Sequence, residues 1–353
     1  MLYNCISLNS LDLADFETDN ITDMGSMFGN CSSLTSLDLS NFNTEKVNNM
    51  KNMFFNCKSL LLLNVSSFNT ENVTNMEFMF SNCKSLDSLN VSNFNTKSLI
   101  KMKFMFNNCI SLSSLNISNF NLQNVTDMES AFCNCKSLKL LDLSNLNTSN
   151  VVNMRFLFNG CSDINSLNLS NFHTQNVNNM EHMFQGCESL TSLNLSSFNT
   201  IKSVNMERMF SGCKLLRYLD LSKFDTKNVN NMQSMFCDCK SLISIDLSNF
   251  NTTNVTSMYN MFKGCKSLSL LDLSKFNTEK VKSMTEMFSS CVSLLSLNLE
   301  NFNFQNVTQY GYMFSNCYSL LSLKINLNPK SNINFSNTFK NCNSLIFSKI
   351  FIK

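Results

Sequence analysis

A cysteine returns every 26 residues for almost the whole chain: Cys5, Cys31, Cys57, Cys83, Cys109, Cys135, Cys161, Cys187, Cys213, Cys239, Cys265, Cys291 and Cys317, with Cys342 following after 25. Only Cys133 and Cys237 stand outside the series. A fixed period between about 20 and 50 residues marks stacked supersecondary units, each too small to bury its apolar face without a neighbour. At 353 residues the length alone would divide the chain into two or three globular domains. The period overrides that expectation and predicts one continuous array.

The stretch from Cys31 to Asn56, CSSLTSLDLSNFNTEKVNNMKNMFFN, shows what each position contributes. Leu37, Asp38 and Leu39 alternate as a short strand does, leucines inward and the acid outward. Phe42 lies at the turn off the strand. Thr44 is placed as an N-cap, its hydroxyl accepting from a free backbone N–H of the turn that follows. Val47, Met50, Met53 and Phe54 then recur at three- and four-residue intervals, which predicts a short helical segment with that face turned to the strand layer. The residue before the ladder cysteine is Asn or Gly in twelve of fourteen repeats, with Asp238 and Ser290 the departures, and both types suit a left-handed residue that ends the segment. The expected fold is therefore an α/β solenoid with a parallel sheet on the concave face and short helices on the convex face. With strands about 4.8 Å apart, thirteen coils span on the order of 60 Å.

Composition agrees with an array whose turns are made by Asn, Asp and Ser, because the chain has a single Pro and seven Gly. No linker or charge run marks a boundary. Residues 1–326 read as tandem repeats in a single solenoid, and 327–353, where Lys324, Asn328 and the shortened spacing to Cys342 break the pattern, as a degenerate terminal repeat or imperfect cap. A net charge of +2 with 15% charged residues leaves no basic field for nucleic acid or an anionic membrane. No apolar stretch reaches the roughly 18 to 20 residues of a bilayer span.

The unit L-x-x-L-x-L-x-x-F followed by N-T-x-x-V-x-x-M-x-x-M-F-x-N/G-C resembles the BspA-type leucine-rich repeat, also described as a domain of unknown function in bacterial surface lipoproteins. SLTSLDLSNFNTEKVNNMKNMF, SLTSLNLSSFNTIKSVNMERMF and SLSLLDLSKFNTEKVKSMTEMF carry the match, which covers roughly residues 1 to 326. The resemblance implies a surface or secreted protein that binds or adheres and does not catalyse, without implying a particular ligand. The concave stripe and exposed loops are read as contacting a protein or glycan, with no cofactor. Met1-Leu2-Tyr3-Asn4-Cys5 aligns with Met27 to Cys31, so the chain opens inside a repeat, without the export signal or N-terminal cap expected of a surface member. An uncapped array associates end to end. The alternative function is accordingly an intracellular scaffold or an end-to-end assembling structural protein.

Four features are candidates for chemistry. The inward cysteines read as small buried hydrophobes, since a 26-residue spacing supplies no zinc cluster. The Met pairs read as core. His173 and His182 share one repeat, have no nucleophile at a strained turn beside them, and are expected to face solvent. The outward strand position carries Asp12, Asp38, Asn64, Asn90, Asn116, Asp142, Asn168, Asn194, Asp220, Asp246, Asp272 and Asn298, mostly flanked by Ser two residues away. Asp38 to Asp272 in that column form the candidate ligand stripe. Three readings of it stand open: a hydrogen-bonded ladder that keeps the face soluble, the ligand surface itself, or a calcium edge at Asp220, Asp246 and Asp272, whose carboxylates about 5 Å apart would repel without relief. Sequons such as Asn72-Val73-Thr74 and Asn254-Val255-Thr256 recur with the repeat and permit glycosylation.

Overall fold

A 26-residue coil can bury leucines only against the next coil, so the chain stacks in register. A computed structural model of the protein describes residues 2–326, 337–345 and 350–351, in two compact units, Met1–Asn176 and Val177–Lys353. In the first unit β1 (Ser36–Asp38) pairs in parallel with β2 (Leu62–Asn64), and β3 (Ser114–Asn116) with β4 (Leu140–Asp142). Partners such as Leu37 and Leu63, or Leu115 and Leu141, lie one period apart. Leu37 is buried and its neighbours Ser36 and Asp38 are exposed, the alternation that a pleated strand imposes.

The second unit repeats the plan. There β5 (Tyr218–Leu219) pairs with β6 (Ser244–Ile245), and β7 (Ser296–Leu299), β8 (Ser322–Ile325) and β9 (Ile350–Phe351) form a three-stranded parallel sheet. Leu323 pairs with Ile350 and Lys324 with Phe351, so the last described strand still adds to the sheet. Of the segment expected as a terminal repeat or cap, 327–336, 346–349 and 352–353 lie outside the described residues.

The expected convex helices are not formed: the described residues contain no helix. In the coil that follows β1, Met50, Asn52, Phe54 and Asn56 donate their backbone N–H groups to Asn75, Glu77, Met79 and Ser81 of the next coil, at 2.8–2.9 Å. Between them Met53, Phe55 and Cys57 donate to the residue three back, closing consecutive tight turns. Asn52 (φ 56°) and Asn56 (φ 63°) are left-handed, which no α-helix accommodates. The three- and four-residue spacing of Val47, Met50, Met53 and Phe54 is thus a spacing of turns, and all four side chains are buried. The physical reason is hydrogen-bond satisfaction. A helix of two turns leaves most of its N–H and C=O groups without intrahelical partners, whereas turns stacked at one period pair them with the neighbouring coil.

Thr44 is also not an N-cap. Its side chain is buried, and its hydroxyl donates to the carbonyl of Asn69 and accepts from the N–H of Asn69, both at 2.8 Å, bridging two coils. Asn43 caps the turn instead, its Oδ1 accepting from the N–H of Glu45.

Like residues stack in the core. Phe28, Phe54, Phe80, Phe106, Phe132 and Phe158 form a near-parallel column with centroids 5.5–5.7 Å apart. The ladder cysteines are free thiols, and most reach the backbone of the coil before them: Cys57 Sγ donates to the carbonyl of Phe28, Cys83 to Phe54 and Cys109 to Phe80, at 3.1–3.2 Å. Cys239, Cys265, Cys291 and Cys317 do the same in the second unit. Cysteine therefore does more here than fill a corner, because its S–H satisfies a buried carbonyl.

Candidate ligand-binding face

The strand ends decide the geometry of the outward column. Asp38 Oδ1 accepts from the N–H of Ser40 at 3.0 Å, and the same turn recurs at Asn64, Asn90, Asn116, Asp142 and Asn168 in the first unit. Asn194, Asp220, Asp246, Asp272 and Asn298 repeat it in the second. Each Asp or Asn thus bends the backbone off its strand by accepting from the residue two further on, which a short polar side chain does readily. Within each unit the column lies on one exposed face. Asn64 also bridges coils by its carboxamide, donating Nδ2 to Asp38 Oδ1 at 2.9 Å.

The serine N–H holds the carboxyls of Asp38, Asp142, Asp220, Asp246 and Asp272 below the usual carboxylate range, because it favours the charged form. At Asp246 the neighbouring charges of Asp220 and Asp272 oppose that shift and are outweighed. One oxygen of each of these three carboxylates is committed to its own turn. Among the described residues no group of three or more His, Cys, Asp or Glu is placed to hold a metal ion.

The strand face carries a second feature. In the column two residues before the Asp/Asn column, Ser36, Ser88 and Ser114 alternate with large apolar side chains: Leu62 is 67% exposed and Leu140 70%. In the second unit Tyr218 and Leu270 hold the same place, 64% and 65% exposed. Leu61, also exposed, joins Leu62 on the wall of a shallow depression of about 630 Å³, whose rim includes Asp38, Asn64, Asn90 and Asn116. The polar half of this face follows from the outward column. The apolar half was missed, although its signal was present: a leucine or tyrosine where neighbouring repeats place serine.

The remaining candidates are structural. The Met ladder is buried. Burial pushes the thiols of Cys57 and Cys213 up to about 12, and those of the off-ladder Cys133 and Cys237 up to about 11, so none of these four is a ready thiolate. His173 is exposed as expected, but His182 is not. His182 sits in a left-handed turn position (φ 58°), 7% exposed, with Nε2 3.3 Å from Glu181 and Nδ1 against Gln185. Its burial pushes the imidazole pKa down, against the pull of Gln185 and Glu181.

Parallel strands of one period, inward leucines and an outward polar face define a leucine-rich-repeat solenoid. The model of the family described as Mycoplasma protein of unknown function, DUF285, matches residues 1–63, 57–163, 110–218 and 205–327, and the chain belongs to that family. This fits the BspA-type repeat that the motif resembles. No curated protein matches the sequence. Among solved structures, the chain is similar to a leucine-rich repeat protein from Bacteroides ovatus (17% identity, TM-score 0.42, covering 92% of this chain and 87% of that one). It is similar also to a leucine rich cell surface protein from Faecalibacterium prausnitzii (15%, TM-score 0.49, 92% and 82%). A third is the functional domain of InlJ from Listeria monocytogenes, which includes a cysteine ladder (16%, TM-score 0.29, 91% and 68%).

Proposed function

We propose that the chain is a non-catalytic binding module, displayed at the cell surface or outside the cell, whose strand face takes a protein or glycan ligand. The observation that carries this reading is the pair Leu61 and Leu62, exposed side by side on the wall of a depression whose rim is made largely of Ser, Asp and Asn. Most leucines of the repeat are buried, so outward ones such as Leu61, Leu62, Leu140 and Leu270 forgo burial and are free for contact with something else. The surrounding Asp38, Asn64, Asn90 and Asn116 supply donors and acceptors around that apolar patch, the arrangement of an interface with an apolar centre and a polar rim. The surface placement rests on the BspA-type resemblance. The chemistry of the side chains supports binding over catalysis: burial holds the thiols of Cys57 and Cys213 protonated.

The test is a screen of the full chain against arrays of glycans and of peptides, repeated with Leu61→Ser/Leu62→Ser. A ligand whose affinity falls roughly tenfold or more in the double variant, and is unchanged by Glu71→Ser on a different face of the coil, supports the reading. A ligand indifferent to Leu61 and Leu62 but lost with Glu71→Ser overturns it.

A further inference from the structure

Asn-x-Ser/Thr sequons recur at two positions of the repeat, and their carboxamides are bonded differently from one sequon to the next. At four sequons of the threonine column the carboxamide donates into the fold. Asn72 Nδ2 donates to the carbonyl of Glu45 at 2.9 Å and Asn124 to Lys97 at 3.0 Å in the first unit. In the second, Asn254 donates to Lys227 at 2.8 Å and Asn306 to Glu279 at 2.7 Å. Each such bond reaches back to the coil before, so a substituent on Nδ2, which would replace one of its two N–H groups, would have to be placed beside a bond that holds two coils together.

In the serine column the opposite holds at Asn90-Val91-Ser92 and Asn116-Ile117-Ser118. Both asparagines are exposed, and neither Nδ2 donates to any described residue. Oδ1 of Asn90 accepts from the Ser92 N–H at 3.1 Å and from the Ser92 hydroxyl at 2.7 Å. Oδ1 of Asn116 accepts from the Ser118 N–H at 3.0 Å and from the hydroxyl at 2.8 Å. Asn64, the neighbour in the same column, differs because its Nδ2 is committed to Asp38.

We propose that Asn90 and Asn116 are sites of N-linked glycosylation, and that the threonine sequons at Asn72, Asn124, Asn254 and Asn306 are structural and stay bare. Two donors on Oδ1 stabilise negative charge there and ease removal of an Nδ2 proton. The co-reactant is a glycosyl pyrophosphate presented by a transferase. The Nδ2 lone pair attacks the anomeric carbon of the donor, the bond from that carbon to the phosphate oxygen breaks, the pyrophosphate departs with its electron pair, and the amide proton passes to a base of the transferase. No oxidation or reduction is involved. Both asparagines line the depression beside Leu61 and Leu62, so a glycan on either one obstructs the proposed binding face. The assignment does not depend on that face having a ligand.

The full chain, carried into the secretory pathway of a eukaryotic cell by an added leader, tests the proposal. Peptide-N-glycosidase in heavy-oxygen water marks each occupied asparagine, and mass spectrometry maps the secreted and the cell-retained fractions separately. The expected result is occupancy at Asn90 and Asn116 in the secreted protein, with Asn72, Asn124, Asn254 and Asn306 bare or occupied in retained protein alone. Bare Asn90 and Asn116 in both fractions, or equal occupancy of the two columns in secreted protein, overturns it. Because the readout is occupancy and not affinity, this test and the ligand screen fail independently.

Discussion

The turn face and the strand face of the first unit share one period, yet they hold its coils together by different means. On the turn face an unbroken parallel ladder runs through Asp23, Asn49, Asn75, Lys101, Asp127 and Asn153, and four N–H groups per coil, such as those of Met50, Asn52, Phe54 and Asn56, enter the next coil. On the strand face the pairing is three residues wide and falls into two separate sheets, β1–β2 and β3–β4. The turn face also holds the alternating charges Lys51, Glu77, Lys103 and Glu129, joined as Lys51–Glu77 at 3.1 Å and Lys103–Glu129 at 2.5 Å. Register is thus specified mainly by the turns, where a slip would break many hydrogen bonds and bring like charges together. The strand face is left freer to vary, and that is where leucine replaces serine.

The largest test of this contrast lies in the core beneath the turns. Phe80→Ala, in the middle of the stacked column, should lower stability by about 3–5 kcal/mol, whereas Leu62→Ser on the strand face should stay within about 0.5 kcal/mol. Urea midpoints of the full chain measure both, and a comparable loss for the two would break the comparison. The next effect is in the backbone. Asn82 is left-handed (φ 64°), and Asn82→Val should cost about 1–3 kcal/mol through a β-branched side chain in that region. Asn82→Gly, the residue that Gly160 supplies at the same place, should cost less than half as much.

The smallest effect concerns acid. Because the Ser248 N–H holds the Asp246 carboxyl low, its contribution is present above the unfolded carboxylate value of about 3.9 and fades as pH falls through the lower folded value. Asp246→Asn keeps an acceptor for that N–H without a titrating group. Its stability should therefore change less than that of the parent as pH is lowered below about 4, as followed by thermal melting at a series of pH values. An identical decline in both proteins would show that the strand-face turns do not sense pH.

Much of this plan could be read from single repeats. The alternation at Leu37-Asp38-Leu39 identifies a strand and its outward side, and Asn or Gly before each ladder cysteine marks a left-handed residue, as Asn30, Asn56, Asn82 and Gly160 are. A second left-handed position four residues earlier is only weakly marked, because beside Asn52 and Asn260 it carries Phe78, Phe104, Ser130 and Arg208, which are not residue types that favour it. Those residues are held there by bonds to the next coil, for instance Phe78 N–H to Lys103 and Phe104 N–H to Glu129. The helix expected over the same stretch fails for the same cause: its apolar spacing suits a helix and a pair of turns equally, and only the partner coil breaks the tie. Buried His182 belongs here too, since its burial follows from where the turn aims it and not from its neighbours in sequence.

By itself, then, the sequence determined the period, the identity of each buried ladder and the side of the strand that meets solvent, all of which depend on residue type and spacing within one coil. The tertiary structure decided which groups each coil gives to the next: turns in place of helices, thiol and threonine donors to neighbouring carbonyls, and sequon asparagines such as Asn72 and Asn124 that donate to the coil before. Those outcomes rest on hydrogen bonds between residues some 25 to 29 positions apart. No local propensity encodes such a bond, because its energy exists only once two coils lie in register.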